Sequence, residues 1–241
     1  MLKAIVVIPT YNEIENIDQI IQAVFSLQTE FHILIVDDNS PDGTSKRVEE
    51  LQHQYKDKLF LSVRTKKSGL GTAYVHGFKW ALLQGYEYIF EMDADFSHNP
   101  QDLERLLFAC EKQQADVAIG SRYSTGVNVV NWPLNRVLMS YFASVYVKLI
   151  TGMKIHDATA GFICYKKNVL EKINLDRIKF IGYAFQIEMK YRAYVQKFKI
   201  VEVPIIFTDR TKGQSKMSGS IIREAVFGVV LLRIRKIFNQ L

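Results

Sequence analysis

At 241 residues, 48% of them apolar and 23% charged, the chain has the make-up of an ordinary globular protein, either one large domain or one domain with an appendage, and a repeat or low-complexity architecture is excluded. The formal charge of +6 and pI near 9.1 suit a partner bearing phosphates, a membrane surface or nucleic acid, without choosing among them. Cys110 and Cys164 lack metal-ligand spacing and read as reduced cytosolic thiols; no signal peptide is expected, and no stretch reaches the ~18 uncharged apolar residues of a membrane span.

In chain order, Ala4-Ile-Val-Val-Ile8 is a β-branched run of the buried parallel-strand type. It breaks at Pro9-Thr-Tyr-Asn12. Ile14, Ile17, Ile20, Ile21 and Val24 then share one helical face, with Thr10 or Asn12 expected as the cap and Glu13 and Glu15 in the first turn. A second strand is predicted over His32–Val36, followed by turn chemistry throughout Asp37-Asp-Asn-Ser-Pro-Asp-Gly-Thr44. A helix from about Thr44 to Gln54 and a strand near Leu59–Val63 complete a βαβαβ series, which predicts a mostly parallel sheet flanked by helices on both faces. Lys66-Lys-Ser-Gly-Leu-Gly-Thr-Ala-Tyr74 opens the next helix. Gly69 and Gly71 imitate a dinucleotide fingerprint, but Tyr74 fills the third glycine position and the motif follows the third strand. The loop reads either as a phosphate-binding helix start beside Lys66 and Lys67 or as a tight turn that needs glycine.

The run Tyr88–Met92 predicts a buried strand that delivers Asp93-Ala-Asp95 at its end. Residues two apart share a face of an extended chain, so both carboxylates are expected to point at one spot. Asn99 and Pro100 supply a cap and first helical residue for a helix to about Gln113. Taken alone, an Asp-x-Asp reads more often as a polar turn. What changes the reading is that Glu13, the pair Asp37 and Asp38, and the pair Asp93 and Asp95 all follow strands and therefore gather on one sheet edge, where open α/β sheets bind ligands. Oxygen-only ligation there suits Mg²⁺ or Mn²⁺ carrying a substrate phosphate.

Asp116–Arg122 is a further strand ending in a cation able to meet a diphosphate through its planar fork. Trp132, Arg136 and Ser140 recur every four residues on an otherwise apolar helix; they read as an anion site beside a greasy surface, with Trp132 suited to a membrane interface, or as an exposed arginine on a core helix. His156–Gly161 is a turn into a strand over Phe162–Tyr165, Gly182–Glu188 starts a helix, and Lys199–Phe207 is strand-like with Pro204 marking an edge or bulge. His98 and His156 are assigned no role. Asp209–Lys216 is a polar loop rich in cations and hydroxyls. The last helix runs from about Ser218 to Phe238. From Arg210 onward seven cations face Glu224 alone, which reads as a membrane-surface element or as a core-packing terminal helix.

Pro9-Thr-Tyr-Asn-Glu13, Val36–Thr44, Gly69–Tyr74, Met92–Pro100, Gly120-Ser-Arg-Tyr123, Gly182–Glu188 and Arg210 with Gly213-Gln-Ser-Lys216 together resemble, in order, the branch of glycosyltransferase family 2 that contains dolichol-phosphate (polyprenyl-phosphate) mannosyltransferases. The resemblance runs from residue 3 to about 220. It implies a GT-A fold, a nucleotide-sugar donor (GDP-mannose, with UDP-glucose as the alternative) and inverting transfer to a polyprenyl or dolichyl phosphate. Position by position, Pro9, Tyr11, Glu13, Val36 and Asp38 would hold the nucleoside. Asp93, Ala94 and Asp95 would hold the diphosphate and its metal, and Arg122, Arg210 and Lys216 would clamp the donor. Arg136 and Ser140 would take the acceptor phosphate. Some family members carry Gln at the position of Ser97. The expected organisation is a catalytic domain over residues 1–217, with nucleotide-sugar binding mainly in 1–125 and the acceptor region mainly in 126–217, followed by a basic amphipathic helix over 218–241. That helix places the protein at the inner face of the cell membrane, with or without a membrane-anchoring partner protein. Binding to nucleic acid is the rival that pI alone allows, and acids at three strand ends would repel a phosphate backbone.

Overall fold

In the computed structural model, Ala4–Thr10 (β1) sends Ile5 and Val7 into one apolar layer and Ala4, Val6 and Ile8 into the other, none more than 1% exposed. A strand buried on both faces needs helices on both sides. One side is covered by α1 (Ile17–Phe25), α2 (Thr44–Gln52) and α4 (Asp102–Glu111). The other is covered by α3 (Leu70–Leu83), α5 (Leu134–Thr151), α6 (Lys167–Lys172), α7 (Ala184–Val195) and α8 (Gly219–Ile237). The structure describes residues 3–182, 184–209 and 219–238, with backbone alone for 219–225.

The remaining strands are β2 (His32–Asp37), β3 (Leu59–Val63), β4 (Tyr88–Glu91), β5 (Val117–Ser121), β6 (Val129–Val130), β7 (Ile163–Lys166), β8 (Ile200–Pro204) and β9 (Phe207–Thr208). The main sheet has the order β3-β2-β1-β4-β7-β5-β8, parallel throughout except for β7, which runs against both neighbours. β6 and β9 form a small separate ribbon. From β1 the chain winds one way through β2 and β3 and then returns to β4 on the opposite flank. The crevice therefore opens above the carboxyl ends of β1 and β4. The mostly parallel, helix-flanked sheet expected from the sequence is present, and Pro204 ends the edge strand β8.

Two helix starts differ from expectation. α1 begins at Ile17, because Asn12 adopts a left-handed φ of 58° and the Glu13 carbonyl takes the amides of Asn16 and Ile17. The Thr10 hydroxyl donates to Asp37 instead of capping, and Asp18 is the acid of the first turn. α4 begins at Asp102, because Asn99 and Pro100 form a preceding turn in which the Asn99 side chain accepts the Gln101 amide. α7 is the central helix: every residue from Ala184 to Ala193 is buried, with Arg192 held by Glu188 at 2.7 Å.

α8 packs on α5 and α7 and buries Val229 and Leu232; Phe227 (71% exposed) and Ile234 of α8, and Leu138 and Phe142 (61%) of α5, are exposed apolar groups. No described helix is long and apolar enough to cross a membrane.

Candidate active site

The first wall of the crevice comes from β1 and β2. Their register sets Pro9 beside Val36 and Thr10 beside Asp37. The following loops are tied together, Asn12 N–H donating to Ser40 and Glu13 N–H to Thr44. Pro9, Tyr11, Glu13, Val36 and Asp38 are thereby brought to one sheet edge. Asp37 is wholly buried and accepts from Thr10 and from both the amide and hydroxyl of Ser40, so it builds the turn. Asp38 pairs with Arg64 at 2.5 Å. The Lys67 ammonium lies 4.2 Å from the centre of the Tyr11 ring.

The glycine-bearing loop serves close packing. Gly69 has φ 99°, and a Cβ on Gly71 would lie 2.7 Å from the Phe185 ring. The Gly71 amide is given to the carbonyl of Ile181.

Asp93 and Asp95 follow β4, which ends at Glu91. The Tyr74 hydroxyl donates to Asp93 Oδ1 at 3.2 Å. Burial, together with the charge of Asp93, holds that phenol well above its ordinary pKa, so it stays a donor. Asp95 Oδ1 accepts the Ser97 amide at 3.0 Å and the Ser97 hydroxyl at 2.5 Å. Ser97 thus orients a carboxylate. Among the described residues no group of three or more His, Cys, Asp or Glu side chains could hold a metal. Two carboxylates nevertheless fit Mg²⁺ or Mn²⁺, which are held by one or two acids and complete their shell with substrate phosphates and water. Tyr74→Phe removes one hydrogen bond and keeps the ring on Phe185. It is expected to weaken Mn²⁺ binding about tenfold in the presence of nucleotide, measured by titration calorimetry. Unchanged affinity would show that Tyr74 does not orient Asp93.

Arg122 stands at the end of β5, but its fork meets Asp157: Nε and Nη2 each lie 2.7 Å from the carboxylate, and Nη2 also donates to Thr159 at 2.8 Å. The fork expected to meet a diphosphate is engaged by an internal acid, since a buried guanidinium needs a counter-charge. Burial alone would raise the Asp157 pKa, yet Arg122 outweighs it and holds the carboxyl below its ordinary value. Arg122 keeps its cationic face near Trp132 and Phe207, at 5.5 Å from each ring.

Arg136 lies in the first turn of α5, paired with Asp209 at 2.8 Å and stacked 4.1 Å from the Trp132 ring. Trp132 precedes α5, is half-buried against Phe207 and lines the cavity. A cavity of about 370 Å³ joins these pieces. Its polar lining includes Asp93, Ser97, His98, Arg122, Arg136 and Ser140. Its apolar lining includes Met139, Ala143, Tyr146, Val147, Ile187 and Val226, from α5, α7 and α8. His98, stacked 4.8 Å from Phe162, is pushed down to about 4 by burial and is a neutral wall.

Beneath the cavity, Gln186 donates to the buried Glu91 at 2.5 Å, and the Lys190 ammonium donates to the carbonyls of Ala160 and Gln186. Burial pushes Glu91 up to about 8 and Lys190 down to about 8. Arg210 and Lys216, expected to clamp the donor, lie outside the described residues. Sequence reasoning missed Asp157, Thr159, Tyr74 and Gln186. Tyr74 and Gln186 sat inside quoted motifs, and nothing in the spacing marked Asp157.

Residues 5–174 match the family described as Glycosyl transferase family 2. The chain is 49% identical over 233 residues to a polyprenol monophosphomannose synthase of Mycolicibacterium smegmatis, covering 97% of this chain and 88% of the relative. It is 42% identical over 228 residues to an undecaprenyl-phosphate mannosyltransferase of Micrococcus luteus, covering 95% and 93%. Among solved structures, a glucosyl-3-phosphoglycerate synthase from Mycobacterium tuberculosis, in complex with Mn²⁺, UDP and phosphoglyceric acid, superposes with a TM-score of 0.71 at 15% identity, covering 96% of this chain and 78% of that one. A mannosyltransferase from Pyrobaculum calidifontis in complex with GDP-mannose and Mn²⁺ gives 0.62 at 16% identity, covering 98% and 64%. These two likenesses establish the GT-A fold.

Proposed function

Because the chain belongs to glycosyl transferase family 2 and is a glycosyltransferase, we propose that it moves mannose from GDP-mannose to a polyprenyl monophosphate, with inversion, at the cytoplasmic face of the membrane. The observation that carries this reading is the mixed lining of one cavity, cationic and hydroxyl groups together with apolar side chains. Arg136 and Ser140 offer contacts to a phosphate, apolar side chains of α5, α7 and α8 line the same cavity, and α5 and α8 also carry exposed apolar groups. A phosphate with a hydrocarbon tail matches both kinds of lining. The exposed Phe142 and Phe227, with the cations Arg233, Arg235 and Lys236 at the end of α8, support seating on an anionic lipid surface, with or without an anchoring partner.

Pro9, Tyr11, Glu13, Val36 and Asp38 are assigned to the nucleoside, Asp93 through Asp95 to the diphosphate side, and Arg210 and Lys216 to the donor clamp. A bound Mg²⁺ or Mn²⁺ supplies charge neutralisation for the departing diphosphate. The acceptor, with a second phosphate pKa of about 6, arrives largely dianionic and needs no protein base. Arg136 and Ser140 hold it so that a phosphate oxygen approaches the anomeric carbon in line with the leaving GDP. A new C–O bond forms as the bond to the diphosphate breaks, and GDP carries away the electron pair. Arg122 adds positive potential from behind, and the aromatic walls exclude water.

Incubation with polyprenyl phosphate, Mg²⁺ and each of GDP-mannose, UDP-glucose and UDP-N-acetylglucosamine is expected to yield mannosyl lipid from GDP-mannose. Glucosyl lipid from UDP-glucose alone would overturn the donor assignment. In the same assay Arg136→Ala should raise the KM for lipid phosphate by about 10- to 100-fold, the loss of one charge-assisted contact, with GDP affinity within twofold. An equal loss of GDP affinity would move Arg136 to the donor side.

A further inference from the structure

Gln186 is 3% exposed, yet it lines the cavity that also reaches Asp93 and Arg136. Its amide is held at one pole, where Nε2 donates to Glu91 at 2.5 Å. At the other pole Oε1 is buried and has no hydrogen-bond partner among the described residues. Such an atom costs free energy unless something pairs with it. Two further contacts fix the residue. The Lys190 ammonium joins the Gln186 carbonyl to that of Ala160, at 3.1 and 2.5 Å, so the helix and the turn opposite form one rigid wall. Gly161 faces the amide, and a Cβ there would come within 3.3 Å of Nε2, which leaves this side of the amide covered by a glycine.

We propose that Gln186 is a specificity-determining residue whose amide pairs with a hydroxyl of the transferred hexose. The inference rests on the proposed donor and acceptor sites, because the hexose must lie between the carboxylates that serve the diphosphate and the Arg136 that serves the acceptor. Gln186 lines the same cavity as Asp93 and Arg136, and a hydroxyl is the group a hexose presents to it. Glu91 and Lys190 act through it: one pins the amide, the other the backbone. A site built to pair a hydroxyl rejects the analogue lacking it far more strongly than an apolar pocket rejects a missing methylene.

The test is a series of GDP-mannose donors, each deoxygenated at one of carbons 2, 3, 4 and 6, assayed with polyprenyl phosphate. For the wild type, kcat/KM is expected to fall on the order of 100-fold for one position. In Gln186→Met, which keeps side-chain length, kcat/KM for GDP-mannose should drop by a similar factor, that deoxy donor should suffer no further penalty, and GDP binding should stay within twofold. A wild-type series flat to within about threefold overturns the inference even where the variant fails to fold. So does a penalty that persists in a folded Gln186→Met. If the wild type uses a UDP-sugar instead, the donor reading fails and the same series on that sugar decides the role of Gln186. Transfer from no nucleotide sugar overturns both.

Discussion

Asp95→Ala is expected to lower transfer by at least ~10³-fold in kcat/KM, because it removes the Ser97-bound carboxylate that we assign to the metal and the diphosphate. On the proposed reading a divalent cation would have two acids at most among the described residues, so losing one would leave little affinity. Mn²⁺ titration in the presence of GDP should show the loss directly, and chelation of the wild type should reproduce it. The fold should survive, since Asp95 stands in the loop after β4 and its hydrogen bonds to Ser97 join residues only two apart. A variant that keeps full activity with unchanged metal dependence would remove the metal assignment.

Asp157→Ala should cost about 3–5 kcal/mol of stability, because it strands the buried Arg122 without its counter-charge. For a chain of this size that corresponds to a fall in Tm of roughly 10 °C, readable by calorimetry or chemical denaturation. The double variant Arg122→Met with Asp157→Leu separates stranded charge from lost packing. It should recover most of the stability, since apolar replacement of a buried pair is often near neutral, yet remain a poor enzyme without the cation beside Trp132. A loss below about 1 kcal/mol in Asp157→Ala would mean that water reaches Arg122 and that the pair is not the dry contact described.

The fold was legible because its signals are periodic. Ile5 and Val7 against Ala4, Val6 and Ile8 announce a doubly buried strand, and Ile17, Ile20, Ile21 and Val24 announce one helix face. The acids at strand ends were legible for the same reason, since parallel strands deliver their carboxyl ends to one edge. What was not legible is long-range pairing. Arg122 and Asp157 are 35 residues apart, Glu91 and Gln186 95 apart, and no spacing rule links either pair. Helix starts were misplaced where side chains expected as caps were taken elsewhere, as the Thr10 hydroxyl is by Asp37. Tyr74 was read only as the residue that spoils a glycine fingerprint; in three dimensions it donates to Asp93.

The reversed strand β7 makes the two ends of the sheet unequal partners for protein engineering. In a wholly parallel sheet the turns entering the strands lie opposite the catalytic edge. Because β7 runs backwards, its entering turn, Asp157 to Gly161, joins that edge and supplies a counter-charge, a hydroxyl and a carbonyl to the cavity wall. Length there is constrained by chemistry, and a single added residue would pull Asp157 off Arg122. The far end is left with connections such as the exposed Lys56-Asp57 and Lys112-Gln113-Gln114, remote from the crevice. An epitope, a fluorophore or a break for circular permutation belongs at those positions.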